Sequence, residues 1–503
     1  MRIAEIEAMN PWRRHGKDFE PYDHDLRRLS GAAQFDRKFP VMDKGTIIIL
    51  LGPRQVGKTT LIKKYVLTLI GQSVDPQKIL YLSLDRMRGR NELREVLKGQ
   101  VYRPQFVFLD EASRLKGAMQ EVKTYADAGH LQNASMLITG SSPAEILYSS
   151  ELAPGRGAEG NRRFLRPLLF RDIVLSPYFS HGKNLTDLGL DQDGAASVKR
   201  FAASLKDMAV DMDVDGPGDI FKKAVEIAPF VEQADFLLGI YLQTGGFPVA
   251  INQFLRERQA GQAGGGEDPR IEEIFISDLI GDLAAFGKSE SMLRRLVSRV
   301  LRSYGSRFSF QKLARDEEGG MGVQTVQSYL EFMEKSLIFH VLHAVDLETG
   351  SMAPRKEKKV HIADPFVHHA FRCYIEGRPR KDVVDRTLQD EEASAALIEG
   401  VVSGHLRSHL EIPFAREGGT FLFFHYDREG REIDNVLVTR QGRKIGLEVR
   451  YGRSVQRKPP RRIRGLDGVL SITKDELDKR EDGRLSIPAG LFLSLVQGSK
   501  AHL

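Results

Sequence analysis

The stretch ILLGPRQVGKTTLIKK, residues 49–64, constrains this chain more than any other. An apolar strand pattern enters a loop with glycines at 52 and 57, and a helical pattern leaves it. Gly52, Pro53, Arg54, Gln55, Val56, Gly57, Lys58 and Thr59 have the spacing of a phosphate-gripping loop. The two glycines permit backbone angles that turn successive N–H groups toward phosphates. Lys58 is placed to reach the β- and γ-phosphates, and the Thr59 hydroxyl to hold Mg²⁺, with Thr60 next to it in the first helical turn. A helix starting near Lys58 also directs the positive end of its dipole at the anion. ATP and Mg²⁺ are the expected ligands.

FVFLDE, residues 106–111, supplies the second half of such a site. Asp110 ends an apolar strand, where its carboxylate can orient Mg²⁺. Glu111, one residue on, is placed to polarise an attacking water. The acidic pair points to hydrolysis rather than binding alone. Thr139, Ser141 and Ser142, at the end of the next apolar run, are candidates for sensing the γ-phosphate, and strand-end capping is the alternative.

From Gly45 onward, short apolar runs alternate with amphipathic segments. TIIILLG, ILYLSLD, QFVFLDE and ASMLITGSS read as buried parallel strands. KTTLIKKYVLTLIG and AMQEVKTYADAGH read as helices between them, so the fold class is α/β with a parallel P-loop sheet. Residues 1–44 form a lead-in, 45–180 the ATPase core, and 181–270 a helical lid with an insertion and a glycine-rich linker. Residues 288–375 read as three helices and two strands, and 393–503 as a smaller α/β domain. No apolar run approaches the ~18 residues of a membrane span, and the opening MRIAEIEAMNPWRRHGKDFE lacks the apolar core of a signal peptide. The expected location is cytoplasmic. The single Cys373 excludes an internal disulfide and reads as a packing residue.

NPW, GPRQVGKTT, LYLSLD, FLDE, ITGSS, GR and LRPLLFRD, in that order over residues 10–172, resemble the AAA-like ATPases of archaea and bacteria, a group related to the STAND signalling ATPases. The resemblance implies an arginine acting in trans on a neighbour's nucleotide, hence a homo-oligomer. Arg156 stands in the matching GR, and Arg162 and Arg163 are alternatives. It also implies a Gly-x-Pro turn in the lid that sits near the adenine base. Pro248 in YLQTGGFPVAINQF matches, with Gly246 allowing close approach.

SRFSFQKLARDEEGGMGVQTVQSYLEFMEKSLIFHVLHAV resembles a winged helix. Ser309 is a candidate helix cap. Val323, Val326, Leu330 and Met333 space an apolar face along the following helix. LIFHVLHAV and KKVHIAD are the expected wing strands, joined by the basic APRKEKK. Glu331 and Glu334 suit this helix poorly to meeting phosphate.

The last domain resembles the PD-(D/E)xK nuclease fold. Glu399 lies on a helix, and Asp434 and Glu448 lie on neighbouring strands where both carboxylates suit Mg²⁺. Arg450 stands where relatives carry lysine, and arginine does not easily lose its proton, so the reading is a degenerate nuclease-like domain that binds more than it cuts. From Arg440 to Arg464 there are ten Lys or Arg and one acid, within a chain of net charge +6. Such a cluster can neutralise phosphates, which makes DNA a candidate partner. A partner protein controlled by nucleotide state is the alternative.

Overall fold

The computed structural model describes residues 3–99, 104–140, 161–181, 185–212, 214–259, 271–315, 320–410, 421–452, 463–481 and 483–498. The chain divides into two compact units, the first running through Arg166 and the second from Pro167.

In the first unit, β1 (Ile47–Leu51), β2 (Ile79–Ser83), β3 (Phe106–Asp110), β4 (Ser135–Gly140) and β5 (Arg162–Phe164) form one sheet in the order β2-β3-β4-β1-β5. Every pairing is parallel. Parallel strands covered on both faces read as unbroken apolar runs, which is why four of them stand out in the sequence. The helices Lys58–Gly71, Arg90–Lys98 and Ala118–Asp127 make the connections. β4 inserts between β1 and β3, so the phosphate loop and Asp110 leave strands one apart. β5 was not expected from its sequence. It lies beside β1, pairing Ile49 with Arg162 and Leu50 with Arg163.

The lead-in covers the sheet edge. β2 is an edge strand, with backbone groups open to pairing. The Asn10 carboxamide meets them as a strand would: it donates to the Tyr81 carbonyl at 2.9 Å and accepts from the Tyr81 N–H at 2.7 Å. Trp12 is fully buried and packs edge-on against Phe19 and Tyr81. The buried Lys63 ammonium pairs with Asp23 at 2.8 Å and lies 4.0 Å from the Tyr81 ring centroid.

In the second unit, helices dominate up to residue 335. The first part of the expected lid, 181–270, contains the helices Gln192–Leu205 and Pro217–Glu226. Both bury a periodic apolar face, for example Val198, Phe201 and Leu205. The helices Glu290–Arg302, Phe310–Ala314 and Val323–Lys335 precede the antiparallel pair β6 (Phe339–His343) and β7 (Lys358–Ile362), in the expected order. Ser309 caps its helix, accepting from the Lys312 N–H at 3.1 Å. Val326, Leu330 and Met333 are buried, whereas Val323, one residue into the helix, is exposed.

A mixed sheet follows, ordered β12-β13-β11-β10-β9-β8, from β8 (Phe421–Tyr426), β9 (Glu432–Val438), β10 (Lys444–Arg450), β11 (Gly468–Thr473), β12 (Asp478–Lys479) and β13 (Leu485–Pro488). The closing helix Ala489–Leu495 is buried along its whole length. A helix apolar on every side needs cover all round, and this one finds it on the helix Val231–Thr244. A Cβ on Gly490 would come within 3.0 Å of the Ala234 backbone. The buried Arg171 guanidinium donates to the carbonyls of Met208 and Ser494 at 2.6 and 2.9 Å. The expected lid and C-terminal domain thus share one core.

Candidate functional site

The phosphate loop joins β1 to the helix Lys58–Gly71. Gly57 has φ 101° and Gln55 φ 61°, both in the left-handed region. Gly52 has a different reason: a Cβ there would stand 2.3 Å from the Leu165 carbonyl oxygen beside β5. Val56 is fully buried beneath the loop. The Lys58 ammonium is buried and donates to the carbonyls of Gly52 and Pro53 at 2.8 and 2.9 Å. Incoming phosphate oxygens would take over those donors. Arg54 and Thr60 are half-buried on the loop and the first helical turn.

Asp110, 1% exposed, is the hub. Its Oδ2 accepts from the Thr59 hydroxyl at 2.6 Å and from the Tyr81 hydroxyl at 2.8 Å. Its Oδ1 accepts from the Thr139 hydroxyl and, at 3.2 Å, from the Glu111 N–H. That N–H also reaches the Thr139 oxygen at 3.1 Å. Thr139 therefore orients Asp110 and the Glu111 backbone. Glu111 itself has φ 55°, a conformation a non-glycine residue adopts only when its surroundings impose it. Burial first, and then Asp110, raise the Tyr81 phenol well above its ordinary value, so it stays a donor. Thr59 and Asp110 are hard oxygen donors that fit Mg²⁺. A hydroxyl that gives its proton to a carboxylate keeps its lone pairs for a cation.

Ser141, Ser142 and Arg156 lie outside the described residues. Arg162 and Arg163 lie on β5. Pro248 opens the helix Pro248–Gln259 in the second unit. The close approach expected at Gly246 exists, but to protein: its Cβ would meet the Leu168 carbonyl oxygen at 2.0 Å. The Gly246 N–H donates at 2.8 Å to the buried Asp364, which also caps the helix Pro365–Glu376.

Asp434 and Glu448 do lie on adjacent strands, β9 and β10, and both are buried. The cations beside them are side chains, Lys359 at Asp434 and Arg450 at Glu448. The Lys359 ammonium, from β7, contacts Glu399 at 2.7 Å, Glu432 at 2.5 Å and Asp434 at 3.0 Å. Glu448 pairs with Arg450 at 2.8 Å. Arg307 adds a contact to Glu432 at 3.1 Å. Lys359 thus meets three carboxyls, while Arg307 is shared between Glu432 and Glu357. Burial, with Asp434 adding to it, pushes Glu399 up to about 8. Burial alone would lower Lys359, but the surrounding carboxylates hold it well above the ordinary lysine value. Among the described residues, no group of three or more His, Cys, Asp or Glu is arranged to hold a metal ion.

The basic segments turn partly inward. Lys358 is buried over the Phe310 ring and Lys359 is 1% exposed. Glu334 accepts from Arg407 at 2.8 Å, and Glu331 pairs with Lys335 along the helix. Half of the basic cluster, residues 453–462, lies outside the described residues. Cys373 lines a cleft of about 1250 Å³ beside the Glu272–Arg380 pair, and burial pushes its thiol up to about 12, as fits a packing residue.

Reading the sequence missed Tyr81, Asn10 and Lys359. Tyr81 and Ser83 share a face of the strand, but the pairing of Ser83 with Asp110 that brings the phenol to the acid is visible only in the folded sheet. Nothing in the local pattern marks Lys359 as an internal cation.

Comparisons with known proteins agree with the first unit's geometry. Residues 44–174 match the AAA domain family, and residues 236–374 match a domain of unknown function, DUF8612. Residues 44–174 are thus similar to AAA domains, and the all-parallel five-stranded sheet they build has the P-loop NTPase fold. The search of curated proteins gave no match. Among solved structures, the Walker-type ATPase PABY2304 of Pyrococcus abyssi is 15% identical, covering 65% of this chain and 91% of its own, with a TM-score of 0.39. C. elegans PCH-2 is 13% identical, covering 42% of this chain and 61% of its own, with a TM-score of 0.18. Neither likeness is high enough to bear on the site. Among the described residues no single helix is long and apolar enough to cross a membrane.

Proposed function

We propose that this protein is an Mg²⁺-dependent ATPase whose nucleotide state is read out by its second unit. The Thr59–Asp110 hydrogen bond at 2.6 Å carries the reading, because it joins the phosphate loop to the strand-end acid. Lys58 and the loop N–H groups hold the phosphates. Thr59 and Asp110 hold Mg²⁺, which supplies charge neutralisation on the phosphates when bound. Glu111 polarises the attacking water. An arginine from a neighbouring copy, Arg156, Arg162 or Arg163, completes the site in a homo-oligomer. The test is ATP turnover with nucleotide binding in parallel. Lys58→Ala should lose binding, and Glu111→Gln should bind ATP while turning over ~10²-fold or more slowly. Wild-type turnover in Glu111→Gln would remove it from the role of base.

The basic cluster from Arg440 to Arg464 supports contact between the second unit and DNA. About five phosphate contacts would give a log-log salt slope of about −4 to −5. A second reading, a switch acting on a partner protein, is favoured by the inward Lys358 and Lys359 and by the Arg450–Glu448 pair. ATP turnover stimulated by DNA in a salt-sensitive way supports the first, and turnover indifferent to DNA supports the second.

A further inference from the structure

We propose that Tyr81 is a positioning residue for Asp110, set in place by the Asn10–Trp12 segment, and that it tunes how strongly a divalent cation is engaged with the nucleotide. The proposal rests on the ATPase reading above and adds residues that no phosphate-loop pattern contains.

A carboxylate offers about four acceptor positions. On Asp110 the donors are Thr59, Tyr81, Thr139 and the Glu111 N–H. Tyr81 and Thr59 share Oδ2. The pull of that oxygen on the Thr59 proton therefore depends on whether Tyr81 also donates to it. Without the phenol, Oδ2 is held by one donor instead of two, and the carboxylate gains freedom to turn.

Tyr81 is held from three sides. Asn10 bonds both of its backbone groups. Trp12 packs edge-on at 6.4 Å between ring centroids. The Lys63 ammonium lies over its ring and is fixed by Asp23 at 2.8 Å and by the Met9 carbonyl at 3.3 Å. The same contacts that close the sheet edge thus set the hydroxyl at the nucleotide site. Tyr81 touches no reacting atom, and its effect passes through Asp110.

The test measures binding of a non-hydrolysable ATP analogue to the full chain, with EDTA and across an Mg²⁺ series. Tyr81→Phe should leave the metal-free affinity within about twofold and raise the Mg²⁺ concentration for half-maximal tightening about 3- to 10-fold, as expected for losing a hydrogen bond to a charged group. In an Asp110→Asn background, Tyr81→Phe should have no further effect, because the two act as one unit. Asn10→Ala keeps the phenol but loosens its strand, and should shift the Mg²⁺ series about twofold in the same direction. An unchanged Mg²⁺ series in both Tyr81→Phe and Asn10→Ala overturns the proposal, as does full additivity with Asp110→Asn. A wild type that fails to bind the analogue at all sinks the nucleotide reading and the proposal with it, a result distinguishable from failure in the variants alone.

Discussion

Asp110 and Asp434 both lie on buried strands, one in each unit, and both are ringed by donors, but the donors differ in kind. Asp110 is held by neutral hydroxyls from Thr59, Tyr81 and Thr139, which orient the carboxylate without cancelling its charge. Asp434 lies 3.0 Å from the Lys359 ammonium, which discharges it. A buried carboxylate among hydroxyls retains its attraction for an added cation. One beside an ammonium has spent it. The residue type and the strand position are alike in the two places, and the neighbours decide whether the carboxylate is oriented by neutral donors or balanced by a cation.

The strongest way to break this comparison is Lys359→Met. Removing one partner of a buried ionic cluster leaves carboxyls uncompensated, and the expected cost is about 3–5 kcal/mol. Denaturant unfolding gives the magnitude. Hydrogen exchange should show lost protection around β7, β9 and the helix Glu391–His409, while β1 to β4 stay protected. A neutral result would mean that Lys359 is not the cation balancing that cluster.

Asp110→Asn is the converse. Asparagine keeps an acceptor for the hydroxyls but removes the charge, so turnover should fall ~10²-fold or more while stability changes by about 1 kcal/mol or less. Loss of folding comparable to Lys359→Met would erase the distinction between the two sites.

The pH dependence of stability separates the units more gently. In the second unit burial depresses His361 to about 3 and His369 and His405 to about 4. As pH falls from about 6.5 toward 4, the unfolded chain takes up protons that these folded imidazoles refuse, and stability is lost. Burial raises Glu399 to about 8 and Asp364 to about 7. Between the ordinary carboxylate range and those values the folded state keeps protons that the unfolded chain has released, so stability falls as pH rises. Each proton of difference is worth about 1.4 kcal/mol per pH unit. Unfolding of the second unit across pH 4 to 9 should show a maximum near pH 6, and a profile that is flat over that range would contradict the buried charge balance.

Arg450→Lys should have the smallest effect. A lysine there still pairs with Glu448, and Lys359 still occupies Asp434, so stability should move by about 0.5 kcal/mol or less and no Mg²⁺-dependent nicking of DNA should appear. A nick that is lost again on adding Asp434→Ala would show that the discharged site can be recharged by one substitution.

The sequence alone determined the α/β alternation, four of the five strands of the first sheet, the phosphate loop and the acid pair, because each is a local pattern: an apolar run covered on both faces, or a turn whose angles only certain residues accept. It likewise marked the Ser309 cap and the order of helices and strands from residue 290 to 362. Three-dimensional packing alone decided the rest. The placing of β4 between β1 and β3, and of the three-residue β5 beside β1, depends on pairings far apart in the chain. The hydroxyl of Tyr81 and the ammonium of Lys359 acquire their partners from strands and helices 29 to 75 residues away, and no spacing rule reaches that far. The closing helix Ala489–Leu495 is apolar all round, which required a buried place, but only the tertiary structure could say that the helix Val231–Thr244 provides it. Local periodicity records which face of an element must leave water, and the identity of the neighbour is set by how all such faces close together.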